Sequence, residues 1–232
     1  GVAAHEGGSY GDLYGYTWAK NANGQYMVND TTGLPISAAN GYLGNFNPKF
    51  TLGWNNSFAY KNFVLNFLID GRVGGQMVSG TEANLAYDGN ADYTLAYREG
   101  GWLLPAVGKD EGKPNDIEVN AEQFWQTVSQ GRYSWGEFFT YNTTNFRLRE
   151  LSIGYNIPLA NQRFFTNAKV SLTGRNLFFL YRGYATMDIP GLKKRKMNFD
   201  PDMNLGAGNY QGIDYGNLPT TRTIGLNVQL SF

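Results

Sequence analysis

The last twelve residues of the chain alternate between apolar and polar positions. Ile224, Leu226, Val228, Leu230 and Phe232 share one face of an extended strand, and Thr221, Thr223, Gly225, Asn227, Gln229 and Ser231 share the other. The run has the length that a tilted strand needs to cross a bilayer, roughly 9 to 11 residues. The same alternation recurs upstream. In residues 49–60, Phe50, Leu52, Trp54, Phe58 and Tyr60 lie opposite Thr51, Gly53, Asn55, Ser57 and Ala59, and Asn56 is a polar intruder on the apolar face. Phe63, Leu65, Phe67 and Ile69 line the next segment, with Asn62, Asn66 and Asp70 on its other side. The junction Tyr60-Lys61-Asn62 therefore predicts a tight hairpin.

A third strand is predicted over 145–157, where Leu151, Ile153, Tyr155 and Ile157 are in phase but Phe146 and Leu148 are out of phase with them. A slip at Glu150 predicts a β-bulge. Pro158 ends this strand, residues 159–167 turn the chain, and 168–176 return with Val170 and Leu172 set against Lys169, Ser171, Thr173 and Arg175. The carboxy-terminal strand is the fifth.

The connections alternate in length. Those near 60–62 and 158–167 are short, whereas 73–144 and 177–220 are far longer than ordinary loops. Outer-membrane barrels pair short periplasmic turns with long extracellular loops. This parity predicts that Phe232 ends in the periplasm and that residues 1–47 begin outside. Five strands cannot close a barrel, and an open sheet edge in lipid leaves backbone groups unpaired at several kcal/mol each. The rest of the wall is expected from elsewhere, and the amino terminus, with no basic or apolar leader region, is expected to be an internal start.

Composition narrows the function classes. The 232 residues are 42% hydrophobic and 16% aromatic, with 30 glycines, and the mean hydropathy is −0.40. No apolar run of about 18 residues offers a transmembrane helix. The 19 basic and 19 acidic residues cancel, which removes the electrostatic footprint of a nucleic-acid binder. Zero cysteines exclude disulfides and thiolate sites. His5, the one histidine, leaves histidine zinc sites and histidine bases little to work with. Glu137 with Glu150, or Asp110 with Glu111, forms no recognisable acid/base pair, and neither Gly-x-Ser-x-Gly nor a phosphate loop is present. No enzymatic activity, cofactor or metal is expected. Asp200-Pro201-Asp202-Met203-Asn204 spaces oxygens like the start of a calcium loop, yet Gly206 is one place late and Gln211 stands where a bidentate glutamate is needed, so a turn from Pro201 is expected.

Several strings together carry a resemblance: LGNFNPKFTLGWNNSFAYKNFVLNFLIDGRVGG (43–75), NFRLRELSIGYNIP (145–158), VSLTGRNLFFL (170–180), NFDPDMN (198–204) and RTIGLNVQLSF (222–232), with GSYGDLYGYTWAKNANGQY (8–26) upstream. In this order they resemble the carboxy-terminal part of SusC/RagA-type TonB-dependent outer-membrane transporters. The resemblance implies an all-β fold, an antiparallel transmembrane β-barrel segment with long extracellular loops. Residues 1–232 would supply about five or six strands of a barrel of about 22, with the plug domain and TonB box lying outside them. It implies localisation in the bacterial outer membrane and active import of oligosaccharides or peptides. The implied partners are a SusD-like surface lipoprotein, TonB, the rest of the barrel and plug, and outer-membrane lipids and lipopolysaccharide. A passive or structural barrel piece and a soluble β-rich carbohydrate-binding module are the alternatives.

The aromatic end Phe232 resembles the assembly signal of such barrels, and Leu230, Val228, Leu226 and Ile224 continue its lipid face. Arg147, Arg149, Lys169 and Arg175 are read as lining the hydrated interior. In the longest connection, 120–130 predicts one short helix, since Phe124 and Val128 recur at helical spacing. Trp102, Trp125 and Trp135, with Tyr97 and Tyr133, are read in two ways: as aromatic contacts to a ligand or lid, or as packing of the loop on itself. Lys193-Lys194-Arg195-Lys196 is read as a solvated run, with lipopolysaccharide phosphates as its alternative partner.

Overall fold

The computed structural model describes residues 1–110, 112–130, 134–159, 164–206 and 208–232. The chain divides into a wall unit, Pro48–Gly74, Thr144–Arg182 and Pro219–Phe232, and a loop unit, Gly1–Asn47, Gly75–Thr143 and Gly183–Leu218.

The wall unit is one antiparallel sheet of five strands. Phe50–Tyr60, Phe63–Val73, Asn145–Asn156, Asn167–Arg182 and Thr223–Ser231 lie side by side in chain order. The first two meet in the predicted hairpin, where Tyr60 pairs with Phe63 and Lys61 takes a left-handed φ of 52°. Register then carries the apolar face from strand to strand. Trp54 lies opposite Ile69, Phe67 opposite Leu151, Leu65 opposite Ile153, and Leu172 between Ile153 and Leu226. Asn56, the polar intruder, pairs with Phe67 on this same face. Trp54 meets the Phe67 ring edge-on at 5.3 Å, a cross-strand pair that adds to the register it shares.

The predicted bulge is present. Between Leu148 and Glu150 the register slips against both neighbouring strands: Arg149 is the extra residue against Phe63–Val73, whereas against Asn167–Arg182 the two residues Asn176 and Leu177 stand opposite Arg149. The slip returns Phe146 and Leu148 to the face of Leu151 and Ile153, where Leu148 lies opposite Ile69 and Phe178. Gly71 makes room for Phe146: a β-carbon there would stand 2.7 Å from the ring. Asp70, on the polar face opposite Arg147, accepts from Arg149 Nε at 2.7 Å and lies 3.7 Å from Arg147 Nε. Arg175 pairs with Glu150 at 3.3 Å.

The fourth strand corrects the sequence reading. Expected to end at Asn176, it runs on to Arg182, pairing Phe178 with Leu148 and Tyr181 with Phe146. Asn176 takes a φ of 50°, which breaks the alternation without ending the strand. The long connection therefore begins at Gly183 and not at Leu177.

The loop unit has a core of its own. Asp12–Trp18 pairs with Ser37–Asn45, and Gln76–Ser79 lies between Thr140–Asn142 and Ile213–Asp214. Two helices, Gly80–Tyr87 and Ala121–Val128, complete the frame. The second is the one expected from sequence. The first starts where Ser79 Oγ accepts from Glu82 N at 3.1 Å while donating to the buried Asp214 carboxylate at 2.6 Å. Among the described residues no helix is long and apolar enough to cross a membrane, which says nothing of crossing by strands.

Candidate functional site

The aromatic residues singled out from the sequence converge in the loop-unit core. Asn120 caps the Ala121–Val128 helix by accepting from Glu122 N at 2.7 Å, which sets Phe124, Trp125 and Val128 inward. Trp102, on the short strand Trp102–Leu103, packs on Phe124 at 4.4 Å and Trp125 at 6.4 Å between ring centroids. Trp135 meets Phe138 edge-on at 5.9 Å. Trp102 and Trp125 are each 2% exposed, with other rings against them. Tyr97 differs: it stacks on Trp102 at 4.9 Å, donates to Gly191 O at 3.1 Å, and is 36% exposed. Tyr133 lies outside the described residues.

Sequence reasoning missed Trp18, whose ring stacks on Tyr26 at 4.5 Å and whose indole donates to Met27 O at 2.7 Å. It also missed a buried cation. The basic run 193–196 was expected to be solvated, yet Arg195 is buried, with its guanidinium 5.2 Å from the Tyr93 ring, 5.8 Å from Tyr141 and 5.9 Å from Phe139. It donates to Phe138 O. No signal in four consecutive basic residues marks which one turns inward.

Glu82 stands beside this cluster, accepting from the Tyr93 hydroxyl at 3.0 Å. Burial pushes its carboxyl above the ordinary glutamate range, against the opposing pull of the Tyr93 hydrogen bond and the Arg195 charge. Burial likewise raises the Tyr93 and Tyr141 hydroxyls, which stay protonated. Glu137, raised by burial too, accepts from Trp18 N at 2.6 Å.

The described residues of this unit border at least two clefts. One, about 470 Å³, is bordered by Asp88, Arg98, Asn120, Glu122, Trp125 and Gln126. The other, about 460 Å³, is bordered by Lys20, Tyr26, Tyr42, Glu137 and Asp188. Lys20 lies over the Tyr26 ring at 4.7 Å. The 200–204 segment forms a turn, with Asp200 accepting from Asp202 N at 3.0 Å and from Met203 N at 3.1 Å. Among the described residues no three histidine, cysteine or acidic side chains group to hold a metal.

On the wall, Ile224, Leu226, Val228, Leu230 and Phe232 are all exposed on one face, and Phe232 packs on Phe165 at 5.3 Å. Leu226 is 70% exposed, a surface that water does not favour and hydrocarbon does.

No protein-family model matches the chain. It is 26% identical to TonB-dependent receptor P3 of Formosa agariphila over 208 residues, 88% of this chain and 18% of that protein. The resemblance to TonB-dependent receptors is borne out. Among solved structures, that of the RagAB peptide transporter matches with a TM-score of 0.53 at 18% identity, covering 95% of this chain and 22% of that one. The RagAB peptide importer in the closed-closed state matches at a TM-score of 0.50 and 18% identity, over 97% and 23%. These likenesses concern the fold. The chain spans about a fifth of the length of the TonB-dependent receptor and of the transporter chains it matches. Its antiparallel sheet is similar in fold to the strands of those transporter chains, and its place is the bacterial outer membrane.

Proposed function

We propose that this chain forms part of the wall and outer loops of an active importer, one that takes up oligosaccharides or peptides and is energised through TonB. The observation that carries this reading is the two-faced sheet. Its apolar face is continuous across five registered strands, its other face carries Arg147, Arg149, Arg175, Asp70 and Glu150, and its long connections fold into a packed unit. The relatives, a receptor and importers by name, support nutrient import.

On this reading the chain is the carboxy-terminal part of the barrel, and plug and TonB box lie outside it. The outer strands Phe50–Tyr60 and Thr223–Ser231 pair with the rest of the wall. The apolar face meets outer-membrane lipid and lipopolysaccharide, and the loop unit meets a SusD-like lipoprotein and the cargo. Tyr97, stacked on the Trp102 ring and partly exposed, is the aromatic side chain offered to a ligand, and Trp102 holds it in place.

The test joins topology to transport. Tags inserted near Gly112 or Gly208 should be accessible on intact cells, and a tag at position 161 should not. Disrupting the gene, or removing TonB, should abolish uptake of fluorescent oligosaccharide or peptide. Uptake that persists without TonB makes the protein a passive pore; recovery of the protein outside the outer-membrane fraction makes it a soluble module.

A further inference from the structure

We infer that residues 96–101 form a strap whose Tyr97 ring fills a place on Trp102 that fits a phenolic ring, and that the strap opens to free it. The inference concerns the loop unit alone and does not depend on the import reading. The strap joins the 3-10 turn Asp92–Leu95 to the short strand Trp102–Leu103 and lies outside every helix and strand.

The chemistry of the place is written in its present occupant. Tyr97 lies on Trp102 at 4.9 Å between centroids and 8° between planes, so the occupant is flat. Its hydroxyl donates to Gly191 O at 3.1 Å, so the occupant carries a donor at its far end. Gly191 makes the room: a β-carbon there would stand 2.6 Å from that hydroxyl. The other rings against Trp102, Phe124 at 4.4 Å and Trp125 at 6.4 Å, belong to the buried core. Tyr97 is 36% exposed while Trp102 is 2% exposed, so Tyr97 is the outer cover.

The backbone makes this cover a gate. Tyr97 holds a φ of 60°, a left-handed conformation that a bulky side chain rarely adopts, so opening relieves strain that the stack and the hydrogen bond offset. Gly100 and Gly101, at φ 85° and 75°, lead into Trp102 and adopt other conformations readily. Arg98 reaches back from Nε to Thr94 O at 3.0 Å and from its terminal nitrogen to Thr94 Oγ1 at 3.0 Å. That long side chain tethers the strap at its base, which keeps the opening local.

The experiment uses the purified full-length protein, treated with N-bromosuccinimide at low excess, with oxidation of each tryptophan followed by peptide mass mapping. Trp18, Trp102 and Trp125 are each 2% exposed. A gate that frees Trp102 alone should make it react at least about fivefold faster than the other two, and a smaller ratio overturns the inference. Tyr97→Phe removes the bond to Gly191 O and should speed Trp102 by about another fivefold with Trp125 unchanged. An unchanged Trp102 rate, or a parallel rise at Trp125, overturns the gate. Tyr97→Gly empties the place. By calorimetry it should bind 4-hydroxybenzyl alcohol, and benzyl alcohol about fivefold more weakly, the difference of one hydrogen bond. Binding of neither, or of both alike, overturns the phenolic class.

Discussion

Replacing Arg195 by methionine keeps most of its volume and removes its charge, which isolates what the guanidinium contributes to the loop unit. The cation faces three rings, at 5.2 Å from Tyr93, 5.8 Å from Tyr141 and 5.9 Å from Phe139. A desolvated cation–π contact stabilises by up to about 2 kcal/mol. Three rings sharing one cation do not add, so about 2 kcal/mol is assigned to the set. The bond to Phe138 O, donated by a charged group, contributes about 1.5 to 3 kcal/mol more. Against these stands the desolvation of the guanidinium, which the variant no longer suffers. Its loss also leaves the buried Glu82 without the positive charge that favours its ionised form. Removing one member of a buried charged cluster costs about 3 to 5 kcal/mol in general, and the low end, about 3 kcal/mol, is expected here because methionine refills the space.

The readout is amide hydrogen exchange in the full-length protein at neutral pH. The amides that tie this segment down, Ala185 to Arg195 O, Thr186 to Thr140 O and Met197 to Gly183 O, should exchange about a hundredfold faster, the factor that corresponds to about 3 kcal/mol. Lys194→Met is the control. Its pair with Asp188 is exposed, with the nitrogen 3.7 Å from the oxygen, and contributes about 0 to 1 kcal/mol. Equal protection in the two variants, or an Arg195→Met protein within about threefold of the parent, would refute the reasoning.

Leu226→Arg should destabilise a refolded full-length barrel by about 2 to 4 kcal/mol, and Asn227→Arg, on the other face, far less; equal losses in denaturant melts would reverse the two faces. Burial raises the Glu82 carboxyl, so its folded state favours the protonated form: the stability is fully present below the ordinary glutamate value near 4.5 and is lost as pH rises through the raised value. Tryptophan fluorescence melts from about pH 4 to pH 8 should show this decline in the parent and a flatter profile in Glu82→Gln, and an unchanged slope in the variant assigns the dependence to another group. Deleting Arg149 should remove the slip against Phe63–Val73 and leave Phe146, Leu148 and Leu151 in one uninterrupted alternation on the apolar face. Retained heat-modifiable mobility on gels is the expected result, and its loss would mean that the extra residue is needed for assembly.

The wall was legible because its physics is local. A sheet one strand thick between lipid and water writes its two environments into every second residue, so Ile224 to Phe232, the turn at Lys61 and the slip beside Glu150 could all be read in order. Where the backbone departs from that period the reading stopped. Asn176, with its left-handed φ, hid the last turns of a strand that continues to Arg182. The long connections obey no such period, because their burial is set by partners distant in sequence. Trp102 and Trp125 share a core with Trp18, Ala83 and Ile189, and nothing in the neighbourhood of any one of them announces the others. The clearest case is the basic run: Lys194 and Arg195 are adjacent and carry the same charge, yet one reaches water and the other enters a box of three aromatic rings. Period-two chemistry determined the wall, and only the tertiary structure, by bringing Tyr93, Phe139 and Tyr141 together, decided which cation the loops would bury.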